Sequence, residues 1–530
     1  MKNLNIILVI LFAIFSEAII AQDTLKEVNL KEIWTEYKFM SRSVRGINSL
    51  KNGKDYTVIK KGSLIVYDYK SGDSITTLIT PDNLIPEGSD QPIRLRSFSM
   101  SNDETRFLIP TSTESIYRHS TKSDYYVFDI NSKKLTRLSE NGKQSLADFS
   151  PDGTKVAFVR DNDIYIVDLN TGNEKQITTD GKRNHIINGT CDWVYEEEFS
   201  FTKAFFWSPD GSRIAFYKFD ESDVKEYTIE YYGNLYPKWE TYKYPKAGED
   251  NSVVGIYVYA LDNGYISTMP LGENTDIYIP RIKWTKNPEI LSIQRLNRLQ
   301  NHLEILIADS RNGDSYVMYS EKNEFYIDIT DNLTFLENKQ QFLITSEQDG
   351  YNHIYLYNMD GSMEKQLTSG KWDVTNIYGW NPKSKIVYYQ SAELSPLDRD
   401  IYKVNLKGIR TKISQEEGTN DADFSNNFKF YISNFSTIGV PPIYTVNDNK
   451  GKVLRVLEDN KRLKERLAKY EISKPEFFTF STPEITLPDG KQVELNGFKI
   501  LPYNFNPDKE YPVLVTIYGG PGSQTTTNSW

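Results

Sequence analysis

Residues 164–172 read IYIVDLNTG, and the phrase returns along the chain. A short run of aromatic and β-branched residues, suited to a pleated strand, gives way to a turn of Asp, Asn, Gly or Lys. The other copies are IVYDYKSG (65–72), YVFDINSK (126–133), IYVYALDNG (256–264), EILIADSRNG (304–313), IYLYNMDG (354–361), IYKVNLKG (401–408) and IYTVNDNKG (443–451). Most are followed by a strand such as EKQIT or EKQLT, so each unit reads as a hairpin. A second signature precedes two of them: FSPDGTKVAF (149–158) and WSPDGSRIAF (207–216), with Pro-Asp-Gly as a tight turn between strands. A recurrence of roughly 40–50 residues with several strands per unit marks a β-propeller, whose blades bury their faces against each other. Eight copies predict eight blades, and a mainly β fold.

Composition agrees. The chain has 530 residues, 13% of them aromatic, with 36 Tyr and one Cys. A net charge of −10 and a pI near 5.3 argue against a nucleic-acid binder, which carries a basic face. No His/Cys cluster suggests a metal, and no motif calls for a cofactor. Lone Cys191 has no partner for an intrachain disulfide and reads as a small buried hydrophobe. The start has Lys2, an apolar run from Ile6 to Phe15 and Ala21 before Gln22. Residues 1–21 therefore read as a cleaved signal peptide, placing the protein in the periplasm or outside the cell. An uncleaved N-terminal anchor is the alternative, though the run is short for a span and carries Glu17.

The expected organisation is an N-terminal segment over 22–50, a propeller over 51–460, and a different texture over 461–530. Residues 453–470, VLRVLEDNKRLKERLAKY, space their apolar residues as a helix does. Residues 477–505 alternate like antiparallel strands around LPDG. Residues 511–524, YPVLVTIYGGPGSQ, predict a strand from Val513 to Ile517 that is apolar on both faces, as inside an α/β sheet. The chain reaches Trp530 with that second domain begun and not completed.

The longest gap between copies, from the third to the fourth, holds CDWVYEEEF (191–199). It is expected to project from a propeller face, where binding groups are often placed. A charge run is usually a solvated face, but Glu196, Glu197 and Glu198 stand among Trp193, Tyr195 and Phe199. Carboxylates in a partly dry place need a cation or donors.

DWVYEEE (192–198), YRHS (117–120), 231–251, VLRVLEDN (453–460) and YPVLVTIYGGPGSQ together resemble the dipeptidyl peptidase IV group of the prolyl oligopeptidase family of serine peptidases. The resemblance runs from about residue 30 to the end. It implies an eight-bladed propeller followed by the beginning of an α/β-hydrolase domain. It also implies release of Xaa-Pro or Xaa-Ala dipeptides from free peptide N-termini, and a homodimer for the full-length protein. Glu197 and Glu198 would hold the substrate ammonium, Arg118 its carbonyl or carboxylate, and Tyr518 the oxyanion; Arg118 could equally pair with the glutamates and steady them, or form a structural ion pair. The chemistry suits them: two fixed carboxylates supply acceptors for a three-donor NH3+, and adjacent carboxylates repel until a cation joins them. Glu196 is expected to make structural contacts, and His119 to pack.

The family's nucleophile sits in a G-x-S-x-G elbow followed by Asp and His. No such motif occurs here. The histidines are His119, His185, His302 and His353, all before the tyrosine turn, and Ser523 has no elbow. The catalytic triad is therefore expected to be missing, and this chain to bind without hydrolysing, as a truncated piece of a longer enzyme. Two other readings stand beside it: a non-catalytic propeller that binds peptides or proteins, and a tripeptidyl or endopeptidase relative on the same scaffold.

Overall fold

The computed structural model describes residues 25–486, 490–520 and 522–530, so the expected signal peptide lies outside the described residues. Eight antiparallel sheets follow each other along the chain, spanning 48–79, 99–137, 145–176, 186–269, 277–322, 334–366, 374–412 and 419–458. They are the eight blades of a β-propeller, numbered here 1 to 8. Seven have four strands bonded in chain order, and blade 4 has five.

Every copy of the repeated phrase supplies the third strand of its blade, as in Asp163–Asp168 of blade 3. The reason is local. The phrase ends where the chain must reverse into the outermost strand, and the last residue adopts a left-handed conformation. In seven copies that residue is glycine, with φ between 73° and 90°. In blade 2 it is Lys133, at φ 57°. Asp168 shapes the blade 3 turn, its carboxylate accepting from the amides of Asn170 and Thr171, both at 3.0 Å. The Ser-Pro-Asp-Gly turns join the first and second strands of blades 3 and 4. There Ser150 and Ser208 accept from the amides of Lys155 (2.9 Å) and Arg213 (3.0 Å).

The core is divided among the seams. Eight hydrophobic clusters occur among the described residues, each crossing one boundary between neighbouring blades. A blade apolar on both faces can bury both only between two others, so closing the ring completes the core. The last seam joins blade 8 to blade 1 without exchanging a strand. Tyr56 and Tyr69 pack on Ile432 and Val446. Arg455 donates to the Tyr69 carbonyl (3.1 Å) and the Tyr56 hydroxyl (2.8 Å).

One expectation is located and two are corrected. The 191–199 stretch, expected as an insertion on the blade pattern, interrupts the first strand of blade 4. The first strand of blade 4 is broken into Ile186–Asn188 and Phe205–Trp207, and both pieces pair with Arg213–Asp220. Residues 453–458 are not helical. They form the outer strand of blade 8, and the helix is confined to Lys461–Leu467. The neighbouring strand offers a ladder there, and Val453 and Val456 face solvent on the rim. Val513–Ile517 is not a strand either. It runs irregularly, with Val513, Leu514, Val515 and Ile517 between 75% and 91% exposed. A strand apolar on both faces needs neighbours on each side, and no parallel ladder exists among the described residues.

Flanking segments brace the propeller. Glu476–Thr486 pairs with Gln492–Lys499 as a hairpin. The N-terminal segment lies on the helix after blade 8, with Lys26 bonded to Lys469 and Glu471, and Arg42 to Asn460.

Candidate functional site

The break in blade 4 is closed at Tyr217. Its amide donates to Ala204 O (2.9 Å), its carbonyl accepts from Gly189 N (3.1 Å), and Ala204 N donates to Gly189 O (3.1 Å). Residues 190–203 therefore leave the strand and return to it as a closed excursion. Inside it a helix of one and a half turns, Trp193–Glu198, carries the acids. So short a helix is not stable by itself. Asp192 caps it, accepting from Tyr195 N (2.9 Å) and from Ser252 Oγ (2.6 Å). Burial holds the Asp192 carboxyl above its ordinary range. Buried Tyr195 accepts from Ile279 N of blade 5 through its hydroxyl at 2.9 Å. Arg281, also of blade 5, donates to Phe199 O at 2.8 Å. Trp193 lies 4.4 Å from Tyr244, ring to ring.

Successive residues of a helix point about 100° apart, so three acids in a row cannot share one task. Glu196 points inward and is 2% exposed. Its Oε1 accepts from the amides of His119 (2.7 Å) and Ser120 (2.9 Å). Those amides belong to the turn between the second and third strands of blade 2. Glu197 meets Arg118 of the same turn, Nε to Oε1 at 3.1 Å. Glu198 points outward and is exposed. Arg118 and Glu197 are thus brought together, with Glu198 beside them. Tyr518 is 66% exposed, and its hydroxyl has no hydrogen-bond partner among the described residues. Cys191 is buried, with Sγ 2.9 Å from Phe201 O, and burial pushes its thiol well up.

Two surrounding groups escaped the sequence reading. Glu221, 6% exposed, is near enough to Asp192 and Tyr117 for their charges to interact. Burial, then the Asp192 charge, lifts its carboxyl to about 7, against the pull of Lys243 and Arg183. Tyr326, between blades 5 and 6, is near enough to Glu198 for that carboxylate to help raise its phenol, after burial and Asp328. Tyr326 also lines a cavity of ≈ 300 Å³ with Glu321, Asp331 and Glu347. No signal in the sequence pairs these residues, because only the folded arrangement of blades 2, 4 and 5 brings them together. The 100° step would have shown that the three acids diverge.

The arrangement is a short helix carrying carboxylates, tethered to neighbouring blades and met by one exposed guanidinium. Residues 101–442 match the family described as the dipeptidyl peptidase IV (DPP IV) N-terminal region. Dipeptidyl peptidase 4 of Trichophyton rubrum is 32% identical over 511 residues, covering 92% of this chain and 64% of that protein. Dipeptidyl peptidase 4 of Arthroderma otae aligns with the same figures, 32% over 511 residues, 92% and 64%. The crystal structure of Porphyromonas gingivalis dipeptidyl peptidase 4 superposes with a TM-score of 0.88 at 40% identity, covering 95% of this chain and 71% of that one. The chain belongs to the dipeptidyl peptidase IV group of the prolyl oligopeptidase family, a family of serine peptidases. It spans about 64% of the length of these curated relatives.

Proposed function

We propose that this chain is the substrate-recognition part of an exported serine dipeptidyl peptidase that releases Xaa-Pro or Xaa-Ala dipeptides from free peptide N-termini. The observation that carries the reading is the Arg118–Glu197 pair with Glu198 free beside it. The ammonium of a peptide would enter between Glu197 and Glu198, where one carboxylate already has a partner and the other has none among the described residues. The negative end of the short helix favours a cation at the same place. Arg118 then turns its fork to a peptide carbonyl or carboxylate. Two residues along, the scissile carbonyl would meet the Tyr518 hydroxyl, a donor aimed at developing charge. The reaction is acyl transfer, and no nucleophilic elbow lies in these 530 residues. A second copy of the chain is the proposed partner of the arm 226–243, whose Tyr232, Tyr236 and Trp239 are exposed.

The test is calorimetric titration with a chromogenic Gly-Pro anilide and its N-acetyl form. The free amine should bind and the acetylated form should not, and E198Q should weaken binding at least tenfold. Equal affinity for both forms defeats amine recognition. Release of the chromophore by the pure chain defeats the absence of a triad.

A further inference from the structure

We infer that Glu196 is a positioning residue, the clamp that sets where Arg118 stands against Glu197 and Glu198. The inference rests on the amine-recognition reading and adds a part to it. Arg118 is 71% exposed in its side chain, and ordinary packing does not hold it. A free arginine samples many rotamers, and ordering it on a ligand costs affinity. What holds it is the backbone on either side. On one side, Ile116 N donates to Ser120 O at 2.8 Å and Tyr117 N to Ser120 Oγ at 3.1 Å, closing the turn on itself. On the other, the amide immediately after Arg118 is that of His119, and it donates to Glu196 Oε1, with Ser120 N beside it.

One buried carboxylate oxygen therefore fixes the two peptide units that follow Arg118. Both are charge-assisted bonds in a dry place, the stronger kind. The turn belongs to blade 2 and the helix to blade 4, with blade 3 between them, so these bonds and the Arg118–Glu197 pair join the two across a gap. Because Glu196 and Glu197 are adjacent on one rigid helix, the carboxylate that grips the Arg118 backbone and the one that meets its guanidinium cannot drift apart. Preorganisation of this kind raises affinity by removing ordering costs from the binding step.

Two measurements test it in the full 530-residue chain. Trypsin cuts after arginine, so nicking between Arg118 and His119, followed by mass spectrometry, reads the freedom of the turn without any ligand. E196A should speed that cut at least tenfold over wild type and leave cuts elsewhere unchanged. E196Q keeps an acceptor oxygen and should restore slow nicking. Titration with the Gly-Pro anilide reads the consequence: E196A should lose at least tenfold in affinity, and E196Q should recover most of it. Unchanged nicking in E196A overturns the clamp. Fast nicking with undiminished affinity also overturns the inference, since Glu196 would then support the fold and not the site. If wild type binds neither anilide, the proposed function falls, and the nicking arm alone decides the clamp.

Discussion

Replacing Glu221 with Gln should change how stability depends on pH. Glu221 is 6% exposed, accepts no side-chain hydrogen bond from the described residues, and feels the charge of the buried Asp192 that caps the site helix. Its carboxyl moves from an ordinary 4.5 to about 7 in the folded protein. The folded state therefore holds this proton more tightly than the unfolded chain. Stability from this group is fully present below pH 4.5 and is lost as pH rises through 7. At about 1.4 kcal/mol per unit, the loss amounts to roughly 3 kcal/mol. Asp192 is shifted the same way and leaves a residual slope in either protein. Thermal and urea unfolding of wild type and E221Q at pH 4.5, 6 and 8 checks this. The two should be similar in acid, and E221Q should be the more stable by about 2–3 kcal/mol at pH 8. Parallel stability curves across that range would refute the reasoning, because they would mean that Glu221 ionises in the folded protein as easily as in water.

Three other substitutions probe the frame of the site. Y195F removes the acceptor of the Ile279 amide, leaving a buried donor unpaired, and should cost about 2 kcal/mol in urea unfolding. G189A places a methyl 2.5 Å from Ile164 Cγ1, at φ +74° where L residues are strained; about 3 kcal/mol of destabilisation and a lower melting temperature are expected. K133G puts glycine at the one copy of the repeat whose turn lacks it, and should raise stability by about 0.5–1 kcal/mol in the same assay.

What could be read in the sequence depended on how local its cause was. The third strand of each blade announces itself because the strand and its left-handed turn residue are contiguous, as in IYIVDLNTG. Several first strands are only two residues long, and in blade 4 the excursion over 190–203 separates Ile186–Asn188 from Phe205–Trp207. The rim strand Val453–Glu458 read as helix because only one face of it is covered, and its apolar residues fall by coincidence at helical intervals. At the site, Glu197, Glu198 and Arg118 were legible through motifs, and the structure brings Arg118 to Glu197. That Glu196 makes structural contacts was expected, but which partners it meets was not legible, and Glu221 was not singled out at all. Glu196 finds its partner 77 residues away in chain order, across an intervening blade, and no spacing rule encodes that meeting.

The site occupies a particular place in the ring. In a closed ring of eight, the seam between blades 4 and 5 lies opposite the seam between blades 8 and 1. The cluster at the 4–5 seam holds 25 buried residues, whereas the closing seam and the 7–8 seam beside it hold four each. Val194, Tyr195 and Phe199 of the site helix are themselves part of the larger cluster. The helix that carries the acids is therefore a wedge in the best-packed boundary of the propeller. Its tethers run to blade 5 through Tyr195 and to blade 2 through Glu196. A ring opens where the least apolar surface resists it. Opening at the 8–1 seam would leave blades 2 to 5 joined through three intact boundaries, and with them the distance between Arg118 and Glu197. The Arg118–Glu197 pair thus lies away from the two least apolar seams, and the short helix is held by the blades on either side.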